Sequence, residues 1–137
     1  MATRSTISVQ HKDGSISSIY CHWDGYPSHH APILLEHYNS LELAEQLVSH
    51  GSLSLLDDSI EPTGAHTFEN PEDGVCIYYG RDRGESNTKP SVYDTKESFL
   101  LRYNGEDFNY LFSGGFWWIV DKKDEPQLLS GFDVTMD

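Results

Sequence analysis

Between Lys12 and Arg81 the chain contains no lysine and no arginine. The same stretch carries eleven carboxylates: Asp13, Asp24, Glu36, Glu42, Glu45, Asp57, Asp58, Glu61, Glu69, Glu72 and Asp73. All nine basic residues lie in the first twelve positions or after residue 80, and the net charge is −13. An anionic body this one-sided repels phosphate, which argues against direct binding to nucleic acid or to an anionic membrane surface. Its complement is a partner that carries a basic surface.

Other scarcities narrow the reading further. There are only two cysteines, Cys21 and Cys76, both in apolar runs. Free cysteine is among the most buried residue types, so two reduced, buried thiols are expected rather than a disulfide. No apolar run approaches the ~20 residues of a membrane span, and the N-terminus lacks an apolar signal core, so the expectation is a cytoplasmic protein. No internal repeat or low-complexity tract is visible. What is present is globular in character: 37% hydrophobic, 12% aromatic and 23% charged residues are enough to build a core. At this length one domain spanning residues 1–137 is expected.

The clearest local signal is a hairpin. Thr6 to His11 alternates polar and apolar, Asp13-Gly14 favours a tight turn, and Ile16 to Trp23 returns as a second strand, with Ile19, Cys21 and Trp23 on its core face. Asp24-Gly25-Tyr26-Pro27 ends that strand. Pro32 suits an early helical position, and Ile33, Leu34, Leu35 and Tyr38 predict a short helix. Asn39 with Glu42 reads as the cap of a second helix, whose apolar stripe is Leu41, Ala44, Leu47 and Val48 before a stop at Gly51. A short turn then carries Leu53 to Leu56. Residues 57–73 read as a loop with one short strand at His66-Thr67-Phe68.

Val75 to Tyr79 is continuously apolar and aromatic, as a central strand is. Residues 80–90 read as a polar loop between glycines. Strands are then expected at Ser91–Asp94, Ser98–Tyr103, Asp107–Phe112 and Phe116–Val120, with a charged turn over 122–126 and a last edge strand at Leu128-Leu129. Strands segregated from helices predict an α+β domain: an antiparallel sheet of about five to seven strands with a pair of short helices on one face.

The densest chemistry lies at residues 19–30, which hold Cys21, Asp24, three aromatic side chains and the imidazoles of His22, His29 and His30. With His37 these are ligand types that zinc accepts, but the spacing fits no zinc-finger or His-Glu-x-x-His pattern, so no metal is expected. Cys21 and His22 are strand neighbours that point to opposite faces, against a thiolate–imidazole pair. No Gly-x-Ser-x-Gly elbow and no phosphate-binding glycine fingerprint occurs, so no catalytic residue is assigned and no cofactor is expected. Asp57-Asp58 and Glu72-Asp73 read as solvated loop carboxylates. Arg81 and Arg83 could grip a phosphate or carboxylate bidentately, or pair with the protein's own acids. Of Trp117 and Trp118, one should be core and the other outward.

Met1 to Ile7, Tyr20-Cys21-His22-Trp23-Asp24-Gly25-Tyr26, Glu36-His37-Tyr38 and Tyr79-Gly80-Arg81-Asp82-Arg83-Gly84 together resemble a family of small acidic proteins encoded by bacteriophages and prophages. The resemblance implies a setting, the cytoplasm of an infected host cell, and transfers no catalytic residue. By analogy with small phage proteins that block anti-phage defences, it suggests a non-enzymatic inhibitor of the anti-CRISPR or anti-restriction type. The partner-binding surface would then be Asp24, Glu36, Glu42, Glu45, Asp57, Asp58, Glu61, Glu69, Glu72 and Asp73, docked on a basic, nucleic-acid-binding host protein. A homodimer is compatible with this reading. The alternative is a nucleotide- or metal-binding module that uses His22, Asp24 and Tyr26 with Arg81 and Arg83.

Overall fold

The computed structural model describes residues 2–121 and 125–132. Eight strands form one mixed sheet: β1 Ser5–Gln10, β2 Ile16–Trp23, β3 Leu53–Leu55, β4 Ile77–Tyr78, β5 Ser91–Tyr93, β6 Phe108–Ser113, β7 Phe116–Val120 and β8 Gln127–Leu128. Their spatial order is β4-β3-β2-β1-β6-β7-β8, with β5 beside the first half of β2. The helices are α1 Pro27–His37, α2 Leu41–Ser49, α3 Tyr79–Arg83 and α4 Lys96–Arg102. The class is α+β, as expected, and the β1–β2 hairpin pairs Ile7 with Ile19 across the predicted turn. The sheet is not wholly antiparallel: β1–β6 and β2–β3 run parallel.

Strand alternation divides the core between two faces. Ile7, Val9, Ile19, Cys21, Tyr110, Phe112 and Trp117 lie on one face, packed with Ala31 and Leu34 of α1 and Ala44, Leu47 and Val48 of α2. The opposite-parity residues Ile16, Leu111 and Val120 meet Phe99 of α4 and Tyr103. The expected helix pair therefore covers one face, and a third helix covers part of the other. That helix replaces the strand expected at 98–103. Thr95 Oγ1 accepts from Ser98 N at 3.0 Å as its N-cap, and Phe99 and Tyr103, one helical turn apart, stack with ring centroids 4.8 Å apart.

Several finer expectations are corrected. Val75 to Tyr79 is not a central strand: only Ile77–Tyr78 joins the sheet, at its edge, while Val75 makes an isolated parallel bridge with Ser59. Its burial comes instead from α2, whose Leu47 carbonyl accepts from the Tyr78 hydroxyl at 2.6 Å, and from the 57–76 segment. Leu53–Leu55 is a strand rather than a turn, because it finds the free edge of β2. Residues 79–83, expected as the last residue of the strand from Val75 to Tyr79 and the start of the 80–90 loop, form a helical turn closed by Gly84 in the left-handed region at φ 77°. His66-Thr67-Phe68 is not a strand. Pro27, not Pro32, opens α1, and Ser40, not Asn39, caps α2 by accepting from Leu43 N at 3.2 Å. Ile19 and Cys21 are core as expected, whereas Trp23 is 46% exposed at the strand's end. Most of the charged turn expected over 122–126 lies outside the described residues.

Candidate functional site

The turn after β2 is built by close approach. The Gly25 N–H donates to the Thr3 carbonyl at 2.9 Å, its own carbonyl accepts from the Tyr110 hydroxyl at 2.7 Å, and a Cβ there would lie 2.7 Å from that of Ser5. Asp24 takes a positive φ of 55° beside it, and the Tyr26 carbonyl accepts from His29 N and His30 N to start α1. His30 is driven fully into the core, where its Nε2 sits 3.0 Å from Ser5 Oγ and its ring lies against Tyr110. Burial, helped by neighbouring His29, lowers its pKa to about 3. The Asp24 backbone works in the opposite direction, favouring the protonated ring, and Nδ1 makes no hydrogen bond. His22 takes a different course: the Tyr20 hydroxyl and its Nδ1 are 2.6 Å apart, and its ring meets Trp23 edge-on.

The buried thiols are inert. Burial pushes the Cys21 thiol up to about 12 and raises Cys76, which exchanges contacts with the Tyr38 hydroxyl and the Asp57 backbone. Both cysteines are free.

Arg81 is committed within the protein. Its Nη1 donates to the Ile60 carbonyl at 2.6 Å and its Nη2 to the Cys76 carbonyl at 3.0 Å, while Nε and Nη2 fork onto Asp82. Asp82 also accepts from Tyr78 N at 2.8 Å and lies 3.2 Å from His66 Nε2. His66 Nδ1 in turn accepts from Glu72 N at 2.9 Å, which fixes the neutral ring with its proton on Nε2, facing Asp82. That last contact is close but poorly aligned for a hydrogen bond. Burial opposes both charges, but the pairing prevails: Arg81 is held above and Asp82 below its usual value. Arg83 lies over the Phe68 ring at 4.9 Å and is otherwise exposed near Glu85. This network pins the 57–75 segment to α3.

The alternative ligand set is therefore not assembled as expected. His22 bonds Tyr20, Asp24 and Tyr26 form the turn, Arg81 faces inward, and Arg83 lies over Phe68. No group of three or more metal-ligating side chains occurs among the described residues.

The ten partner-binding acids divide in the same way. Glu72 closes its own loop by accepting from Thr63 and from Gly64 N, which holds its carboxyl below the usual range. Glu45 sits 2.6 Å from His11, and Asp24 belongs to the turn. Glu36, Glu42, Asp58, Glu61, Glu69 and Asp73 are exposed, and Asp57 is half-buried. Asp58 and Glu61 line a shallow depression of about 270 Å³ with His37, Leu43 and Gln46, and Glu42 lies one turn before Gln46 on α2. Leu43 is 39% exposed at its rim. Among the described residues no carboxylate of the 13–80 stretch forms an ion pair with lysine or arginine. Arg81 lies within electrostatic reach of Glu61 but spends its hydrogen bonds elsewhere.

A larger cavity, of about 410 Å³, opens where β6 begins and β7 ends. Glu106, Asp107, Asp121 and Glu125 line it together with Tyr103, Phe108, Ile119 and Phe132, and among the described residues no lysine, arginine or histidine does. Burial and the charge of Asp121 keep the Tyr103 hydroxyl protonated. None of these residues stood out in the sequence, because the two acidic pairs are separated by two strands and meet only when β6 and β7 pair. No family of known proteins, no curated protein and no solved structure matches this chain.

Proposed function

We propose that the protein is a non-enzymatic inhibitor or adaptor whose acidic face docks on a basic, nucleic-acid-binding protein. The observation that carries this reading is a carboxylate set that no lysine or arginine neutralises, although Asp58 lies 3.5 Å from His37 Nε2. Asp58 and Glu61 line a depression with Leu43 and Gln46, Glu42 is exposed one turn before Gln46 on α2, and no lysine or arginine pairs with these acids among the described residues. An exposed leucine that shares a depression with two acids suits an interface with an apolar anchor and a charged rim. The phage setting, and with it a counter-defence role of the anti-CRISPR or anti-restriction type, rests on the resemblance of the Tyr20–Tyr26 and Tyr79–Gly84 motifs. Glu45 and Glu72, already engaged within the fold, are the weakest members of the docking set.

Affinity capture from phage-infected bacterial cells tests this reading. Retained proteins should be basic nucleic-acid binders, released as salt rises from about 0.05 to 0.3 M and displaced by added DNA or RNA. The Glu42→Lys/Asp58→Lys/Glu61→Lys variant should lose them. Partners without a basic surface, or retention indifferent to salt, would overturn it.

A further inference from the structure

We propose that His66 is a proton-sensitive latch, which holds residues 63–72 on α3 only while its ring is neutral. Its side chain is 1% exposed. Its Nδ1 is the acceptor for the Glu72 N–H at 2.9 Å, so a second proton on the ring would set two donors face to face and break that bond. Its Nε2 lies 3.2 Å from Asp82 Oδ2 without the alignment of a hydrogen bond. Both Asp82 oxygens are already engaged: Oδ1 accepts from Arg81 Nε, and Oδ2 from Arg81 Nη2 and Tyr78 N. The charges that meet the ring are Asp82 and the Arg81 guanidinium from α3, and the Glu72 carboxylate from its own segment. Arg83 lies over Phe68, another contact of the segment with α3. The two acids attract an imidazolium and Arg81 repels it. Asp82 is neutralised by Arg81, and Glu72 is turned onto Thr63 and Gly64, so neither compensates the lost bond at Nδ1. The segment can open without unfolding the domain. Its base is closed by Ser59 N donating to the Gly74 carbonyl at 3.0 Å and Cys76 N to the Ser59 carbonyl at 2.8 Å, which leaves residues 61–73 as a loop of their own. That loop carries Glu61, Glu69 and Asp73 of the proposed docking set, but the latch does not rest on that reading.

Amide exchange by NMR on the full chain tests the latch without a partner. A solvated imidazole takes up its proton at about pH 6.5, so lowering the pH from 7.5 to 5.5 should favour the opened segment about tenfold. Protection of the Glu72 and Gly64 amides, corrected for intrinsic exchange, should fall by that factor. Exchange at Ile7, in the sheet core, should stay slower throughout, which separates local opening from global unfolding. In His66→Asn, whose amide oxygen replaces the Nδ1 acceptor but does not titrate, the fall should shrink to less than twofold. Unchanged protection in the wild type, or an equal fall in His66→Asn, would overturn the proposal. The wild-type ring nitrogens give a reading that needs no variant: only the Nε2–H form should accompany a protected Glu72 amide. A doubly protonated ring with Glu72 still protected would show that Asp82 holds the imidazolium in place, and would also overturn it.

Discussion

Acid should weaken this fold well before its carboxylates protonate, and His30 is the reason. In the unfolded chain its imidazole has the ordinary value of 6.5, and in the folded protein burial lowers it to about 3. Between those values the unfolded state binds a proton that the folded state refuses, so stability falls as the pH is lowered. At pH 5 the unfolded ring is almost wholly protonated and the folded ring is not, which removes about 2 kcal/mol relative to pH 7.5. That figure is governed by the unfolded value, because the folded one lies far below pH 5. Each further unit of acid removes roughly 1.4 kcal/mol more until the folded value is reached. Asp82 and Glu72, held below the usual carboxylate range, stabilise the fold above their ordinary values and lose that contribution only as pH falls through their lowered ones. The His30 effect is therefore separable above pH 5. Urea titrations of wild type and His30→Gln between pH 7.5 and 5 measure it, since the other six histidines are common to both proteins and cancel. The glutamine keeps a polar group for Ser5 Oγ. Wild type should lose about 2 kcal/mol more than the variant over this range, and the His30 ring should not titrate by NMR above pH 5. An unchanged pH slope in the variant would refute the reasoning.

Asp82→Asn should cost about 2–3 kcal/mol in chemical denaturation, less than a fully buried broken pair because Arg81 is partly exposed and one acceptor remains. Glu72→Ala should leave the urea midpoint nearly unchanged but speed amide exchange of Thr63 and Gly64, whose N–H groups it holds. Gly51→Ala should be far more damaging, lowering the melting temperature by at least about 10 °C, because the site has φ +85° and a Cβ would lie 2.1 Å from the Thr88 carbonyl oxygen. Thr95→Ala should cost about 1 kcal/mol by removing the α4 cap, and a neutral result would assign that helix's stability to the Phe99–Tyr103 stack alone.

The opening hairpin, α2 and the two strands β6 and β7 were legible from residues alone, because alternation, the Asp13-Gly14 turn and the apolar stripe of Leu41, Ala44, Leu47 and Val48 act over a few positions. The helix at 96–102 was missed although its signals are local: Thr95 three residues before Ser98, and Phe99 four before Tyr103. A run of apolar residues also fits a strand, and only packing over Ile16 and Leu111 distinguishes the two. Val75 to Tyr79 misled for the converse reason, since burial by a helix and a folded-over segment leaves the same apolar composition as burial between strands.

Charge followed the same division. The absence of lysine and arginine from residues 13–80 is a property of the chain, and with it the anionic character of about half the protein. Which carboxylates remain available was decided by the tertiary structure, since a hydrogen bond depends on distance in space and not along the sequence. Folding turned Glu72 onto its own loop, set Glu45 against His11, drew Arg81 inward to Asp82, and brought Glu106 and Asp107 to the same cavity as Asp121 and Glu125.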